Sequence, residues 1–381
     1  MTHSHKKLSK HSRKKSLKRS HSPSKNITRQ IFFYFVDGPF EHRLNVKEQS
    51  IVHAPNSTLY VLGDMEGNIV QLYQWFLHKK LITKNLEWIG KNTYVIQCGD
   101  QVDSIRFEKY GTKASLTNSK KDTDLGVPIF LEYMNYISKG KVLSVIGNHE
   151  WMNVFSEFGW TQKTNCIHRK LHFAFNGIIG KIFRRRNFVI QFNNCLLSHA
   201  GVSPVNIQKY KQMFKPHFKL SEFIQDVNYE TNLVQNYTST TITPLFKEVV
   251  YGSEIDNNLD GICWNRHFTK LVDKPNYKGE LKQAPELKDF IQIKGHDKGD
   301  DINFCSANSN KVECSLKPDL LKANIITVDT EHAYTNNIVN VKIQFDQHGK
   351  PTHIDSEKFH CDTSTHVPFS IKRLIQHVMM S

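Results

Sequence analysis

The chain has 381 residues, 39% of them hydrophobic and 23% charged, which is enough for one large core or two modest ones and is not the balance of a disordered or fibrous protein. Its net charge of +15 points to nucleic acid or membrane only until the charge is located: residues 1–30 hold seven Lys and three Arg and no Asp or Glu, so the tail supplies ten of the fifteen charges. No apolar stretch approaches the roughly 18 residues that span a bilayer, and no apolar run follows the basic start, which argues against a transmembrane helix and a cleavable secretion signal.

The tract from Met1 to about Arg29 cannot bury enough apolar surface to offset chain entropy and is expected to be disordered. It reads as an arm for nuclear targeting, nucleic acid or an anionic surface, or as a solvated extension with no specific reader. Residues 31–381 read as a single domain. Ile31 to Val36 is expected to be a strand, and the remainder alternates short apolar runs with longer amphipathic segments, the pattern of an α/β protein. Core strands are expected at Leu59–Leu62, Tyr94–Cys98, Val142–Ile146, Phe290–Lys294 and Ile325–Val328, with a hairpin turning at Asn193-Asn194 inside Phe188–Ser198 and another after Ile338–Phe345. Helices are expected over Ile69–Lys80, Pro128–Lys139 and Glu150–Phe158. Two inserts, a polar, Lys-rich one near 104–126 and one of helical and loop material near 205–260, have the length of lids or binding loops. The seven cysteines are odd in number and scattered, without a CxxC pair. That argues against a disulfide framework and for a reducing, cytoplasmic or nuclear location, with export by a route lacking a signal peptide left open.

Five short motifs follow apolar runs in a fixed order: Gly63-Asp64-Met65-Glu66-Gly67-Asn68, Gly99-Asp100-Gln101-Val102-Asp103, Gly147-Asn148-His149-Glu150, Ser198-His199-Ala200-Gly201 and Gly295-His296. Each sets an Asp, Asn or His where a strand would pass into a loop. A phosphate ester is anionic, so attack by water needs charge neutralisation and an activated nucleophile; two cations about 3.5–4 Å apart supply both. Such a pair needs one bridging carboxylate, the natural place for Asp100, with Asp64 and Glu66 completing one metal position and Asn148, His199 and His296 the other. Taken singly, a Gly-Asp after a strand is a common turn and a strand-end histidine is commonly structural. The four-residue string at 147–150 and the order of all five carry the metal reading.

At these residues, over about Leu59 to Tyr334, the chain resembles the PPP-type (calcineurin-like) metallophosphoesterases, whose pattern runs GDxHG, GDxxDR, GNHE, HGG or HAG, then GH. Ser198-His199-Ala200-Gly201 resembles the HAG form of bacterial members and of dinucleoside-tetraphosphate hydrolases, Trp264-Asn265-Arg266 the family's W-S-R segment, and Val328-Asp329-Thr330 its late D-T. The resemblance implies a four-layer fold, a central mixed β-sandwich flanked by helices with the metal site on strand-end loops. It implies a protein phosphatase acting on phosphorylated serine, threonine or tyrosine with two divalent ions, Mn²⁺ first and Mg²⁺, Fe or Zn²⁺ as alternatives. By resemblance His149 is the general acid, Asp103 holds its ring, and Arg266 clamps phosphate with a bidentate guanidinium. Two positions depart from the pattern. Glu66 stands where the family has histidine, which should favour oxygen-loving ions. Ser104 stands where it has arginine, leaving Arg106, Lys109 or Lys113 to take the clamp. A dinucleoside-polyphosphate hydrolase and a degenerate fold used as a binding module through the basic tail are the alternative functions.

Overall fold

The structure, a computed structural model, describes residues 34–35, 38–43, 46–103, 125–159, 166–233, 242–252, 260–266, 268, 277–299, 301–306, 313–315, 324–329 and 337–361. The basic tail, Ser104, Arg106, Lys109, Lys113 and most of the first insert lie outside the described residues. In chain order the elements are α1 (Pro39–Arg43), β1 (Ile51–Val52), β2 (Thr58–Leu62), α2 (Ile69–His78), β3 (Thr93–Gln97), α3 (Gly126–Ile137), β4 (Val142–Ser144), α4 (Asn148–Val154), α5 (Cys166–Phe173), α6 (Ile178–Arg185), β5 (Val189–Phe192) and β6 (Cys195–Ser198). They continue with α7 (Pro204–Met213), α8 (Leu220–Leu233), a π-helical turn (Phe246–Tyr251), α9 (Tyr277–Gln283), β7 (Ile291–Lys294), β8 (Asn303–Ser306), β9 (Glu313–Ser315), β10 (Ile325–Thr327), β11 (Asn337–Phe345) and β12 (Pro351–His360).

Two mixed sheets face each other, one in the order β12-β11-β2-β3-β4 and the other β1-β5-β6-β7-β10-β8-β9. The strand alternation explains the layering. Leu59 and Val61 of β2, Val339, Val341 and Ile343 of β11, Ile190 and Phe192 of β5, and Cys195 and Leu197 of β6 point into one shared apolar layer between the sheets. Their neighbours Leu62, Val189 and Leu196 point the other way, into the helix-covered faces. Burial of each Val, Leu, Ile or Phe in these layers contributes about 1.5–3 kcal/mol relative to exposure. On the outer face α2 is fixed by Asn68, whose side chain accepts from Gln71 N at 3.2 Å as an N-cap, and by Trp75 Nε1, which donates to Asn340 Oδ1 on β11 at 3.0 Å. The architecture is an α/β, metallophosphoesterase-like one. No helix among the described residues is long and apolar enough to cross a membrane.

Three differences from the sequence-based expectations have local causes. Tyr34 and Phe35, the described part of the strand expected at Ile31–Val36, lie in a helical turn and outside both sheets. Their rings pack on Phe40, and Tyr34 Oη donates to the buried Glu132 at 2.6 Å, so an aromatic run serves helix packing here. The helices among the described residues of the second insert pack into the core and do not stand off as a lid: Ile207 and Tyr210 of α7 and Phe223, Ile224 and Val227 of α8 are buried. Asn228 of α8 ties β5 down, accepting from Phe188 N and Val189 N at 2.7 and 3.0 Å and donating to Val189 O at 2.8 Å. Finally, Cys305 and Cys314 form a disulfide, against the expectation drawn from their scatter. They are directly opposed on antiparallel β8 and β9, with Cα atoms 4.1 Å apart, a register that cysteine spacing alone does not reveal.

Candidate metal centre

The sheets bring the motifs together through register. β2, β3 and β4 are parallel, with Leu62 opposite Gln97 and Gln97 opposite Ser144, so the three loops that follow leave the same edge. In the other sheet β6, β7 and β10 are parallel, with Ser198 opposite Lys294 and Lys294 opposite Thr327, and their loops leave likewise. Ligands of α/β sheets sit at such carboxyl ends. The first two loops are stitched by backbone: Met65 N and Glu66 N both donate to Asp100 O at 2.9 Å, and Gly67 N donates to Gln101 O at 2.8 Å. Glu150, fully buried, then gathers three amides, accepting from Asp100 N (2.9 Å), Gln101 N (2.6 Å) and Gly147 N (2.7 Å). Burial pushes its carboxyl up to about 7, Asp100 adds to the rise, and the three amides oppose it. Glu66, Asp100, Asp103 and His296 all adopt positive φ (41°, 51°, 77° and 66°). For non-glycine residues such backbone costs on the order of 1–3 kcal/mol each and gathers at functional sites.

Asp100, His199 and His296 place their ligand atoms within 4.8 Å of one another, all three buried, in a group that could hold a metal ion. The hydrogen bonds fix which atoms face inward. His199 Nδ1 donates to the Cys98 carbonyl at 2.7 Å, and burial holds the ring below its ordinary pKa, so Nε2 carries a lone pair. That lone pair faces Asn148 Oδ1 at 2.8 Å, His296 Nδ1 at 3.2 Å and Asp100 Oδ1 at 3.4 Å. Neither oxygen can donate, and acceptors so close repel unless a cation lies among them. Burial, with His199 and Arg266 next in weight, holds His296 well below its ordinary pKa, so it too is a neutral imidazole fit to ligate. The set of imidazole, carboxylate and amide donors fits a divalent first-row ion.

Asp64 lies on the other side of His199, 3.9 Å from Nδ1, and accepts from His296 N at 3.3 Å. Burial pushes its carboxyl well above the usual range, with Asp329, Asp100 and Glu66 adding to the rise in that order. So many buried carboxylates cannot all ionise without positive charge among them. Among the described residues no second metal-binding group of the same tightness includes Asp64 or Glu66. Glu66 is buried, with Oε1 3.9 Å from Lys298 Nζ. Close glycines make room: a Cβ at Gly147 would lie 2.3 Å from Asp100 Oδ1 and 2.6 Å from Asp100 N. Gly147→Ala should therefore shift the second motif loop, costing about 1–3 kcal/mol in denaturant unfolding. It should also lower bound metal; retention of both stability and metal would show that the loop relaxes freely.

Beside this group His149 Nδ1 contacts Asp103 Oδ2 at 2.8 Å, and His149 Nε2 lies 3.7 Å from Asp100 Oδ2. Asp100 Oδ1 accepts from His149 N at 3.1 Å, which ties the histidine to the metal group. Arg266 is half exposed at the rim, its NH1 3.9 Å from Asp297 Oδ1, while Asp297 is ion-paired with the buried Lys294. The segment carrying Arg266 is docked by Ala200 N donating to Ile262 O at 2.9 Å and Ile262 N to Val249 O at 3.0 Å. The structure thus assembles Asp64, Glu66, Asp100, Asp103, Asn148, His149, His199 and His296 in one place, with Arg266 at its edge. Three further contributors lie outside the five motifs. Arg169 contacts Asp103, Asp329 crowds Asp64, and Arg186 holds the second motif loop through Gln101 Oε1 and Pro128 O. Arg169 and Arg186 carry no sequence signal of such a role; Asp329 is the strand-end Asp of the Val328-Asp329-Thr330 segment that the sequence itself marks.

No family model matches the chain. It is similar to Shewanella-like protein phosphatase 1 of Plasmodium berghei, at 24% identity over 243 residues, 59% of this chain and 55% of that protein. It is also similar to Shewanella-like protein phosphatase 2 of Arabidopsis thaliana, at 28% over 108 residues, 28% of this chain and 24% of that one. The chain thus spans about half the length of the first relative and a quarter of the second. Among solved structures, the cold-active protein-tyrosine phosphatase of a psychrophilic Shewanella species superposes with a TM-score of 0.56 at 14% identity, covering 82% of this chain and 84% of that one, which shows a shared fold.

Proposed function

We propose that this chain is a metal-dependent phosphoester hydrolase that removes phosphate from phosphorylated protein. The observation that carries the reading is the convergence of Asp100, Asn148, His199 and His296 lone-pair atoms beside the His149–Asp103 pair. The likeness to two proteins named as protein phosphatases supports the substrate class. Asp100 would be shared between two divalent ions, with Asn148, His199 and His296 on one side and Asp64 and Glu66 on the other. Such ions neutralise phosphoryl charge and lower the pKa of a water. Around them the residues divide the work. Arg266, at the rim, grips phosphoryl oxygens in a bidentate fashion. His149 Nε2 gives its proton to the leaving oxygen as the phosphorus–oxygen bond breaks, and the proton lost by the attacking water restores it. Asp103 holds the opposite ring nitrogen.

The test is phosphate release from p-nitrophenyl phosphate and from phosphoserine, phosphothreonine and phosphotyrosine peptides with Mn²⁺, Mg²⁺, Zn²⁺ or Fe²⁺, beside metal content. Folded protein that binds these ions and releases no phosphate from any substrate would sink the reading. Glu66→His adds a second prediction. Exchanging an anionic oxygen for a neutral nitrogen should move the preference from Mn²⁺ and Mg²⁺ towards Zn²⁺ and Fe²⁺. Unchanged metal content and activity order would put Glu66 outside the metal's ligands.

A further inference from the structure

We infer that Arg169 of α5, outside every motif, is a positioning residue for the acid pair His149–Asp103, an inference that rests on the hydrolase reading above. A carboxylate held by one partner can swing about its Cβ–Cγ bond, and the imidazole it holds swings with it. Asp103 is given no such freedom. Its Oδ2 is 2.8 Å from His149 Nδ1, its Oδ1 accepts from Arg169 NH2 at 2.6 Å, and Asn153 Nδ2 lies 3.0 and 2.9 Å from its two oxygens. Arg169 Nε in turn donates to Asn153 Oδ1 at 2.7 Å. One guanidinium therefore holds Asp103 twice, directly and through Asn153. Arg169 is 2% exposed and Asp103 1%, so these charge-assisted bonds act with little competition from water. The planar fork matches this arrangement, since its Nε edge meets the amide while its NH2 edge meets the carboxylate. A lysine's single ammonium cannot do both in that geometry.

A merely structural role, in which Arg169 only offsets a buried charge, would slow every substrate alike. A positioning role would not, because the need for a proton depends on the leaving group. The p-nitrophenolate of an aryl ester departs with little proton donation, whereas the alkoxide of phosphoserine needs the proton in full. The experiment compares kcat on p-nitrophenyl phosphate and on a phosphoserine peptide for wild type, Arg169→Met, Arg169→Lys and His149→Ala, with Mn²⁺ content and circular dichroism measured on each. The expected result for the Arg169 variants is unchanged metal content and KM. Their kcat on the peptide should fall about 10- to 100-fold, as for loss of an outer partner at other sites. Their kcat on the aryl ester should stay within about threefold of wild type, since that substrate draws little on the acid. Equal losses on both substrates, with His149→Ala still selective for the peptide, would overturn the inference alone. A His149→Ala variant that slows both substrates alike would remove the acid role itself, and the inference with it. Should Arg169→Met not fold, Arg169→Lys, which keeps the charge, carries the comparison. A lysine variant that also fails to fold assigns Arg169 to the scaffold and overturns the positioning role.

Discussion

Asp100→Asn should lower kcat/KM on p-nitrophenyl phosphate by more than about 100-fold, since loss of even an outer partner of a ligand costs 10–100-fold. The substitution is nearly isosteric, so the effect is one of charge and ligand atoms and not of volume. Asp100 Oδ1 is the oxygen that faces His199 Nε2 at 3.4 Å and also accepts from His149 N at 3.1 Å. The same carboxylate adds to the raised pKa of Asp64 and of Glu150. Removing it therefore relieves repulsion in the metal-free protein, and the variant should be at least as stable as wild type when chelated. With Mn²⁺ at 100 times its dissociation constant, wild type should gain about 2.7 kcal/mol and the variant much less. Denaturant unfolding with and without Mn²⁺ separates the two. An equal Mn²⁺ response in both proteins would remove Asp100 from the metal's ligands.

The parts of this molecule that are legible in its sequence are those whose signal is local. The apolar runs that form β2, β3, β4, β6, β7 and β10 each lead into Gly-Asp, Gly-Asn, Ser-His or a similar pair, so strand and site can be read together. Two helices start about half a turn earlier than their apolar pattern suggests, at Gly126 and Asn148, and in the second case motif residues themselves open the helix. Glu150 shows why: it serves as a helix first-turn residue and as the acceptor for amides of the second and third motif loops. What stays hidden depends on pairing across distance. The helical turn at Tyr34–Phe35 has strand-like composition and is decided by tertiary contacts with Glu132 and Phe40. The Cys305–Cys314 link needs the β8–β9 register. Arg169 meets Asp103 across 66 positions, and nothing in the residues around either one announces the other.

His149→Ala should separate proton transfer from metal binding. Neither ring nitrogen belongs to the Asp100–His199–His296 group: Nδ1 is spent on Asp103 at 2.8 Å, and Nε2 stands 3.7 Å from Asp100 Oδ2. The variant should therefore bind Mn²⁺ as wild type does and keep its KM, because the rim cation Arg266 and the metal group are untouched. Its kcat on a phosphoserine peptide should fall by about 10²–10⁴-fold, the usual contribution of a positioned acid. The contrast with Asp100→Asn is what makes the pair informative: one variant loses metal and rate together, the other rate alone. His149 does anchor one backbone contact, its N–H to Asp100 Oδ1, but that bond belongs to the main chain and survives truncation of the ring. A His149→Ala protein that loses metal as Asp100→Asn does would mean that the ring shapes the metal group instead of serving beside it. Full kcat on the peptide would mean that the leaving oxygen takes its proton from elsewhere.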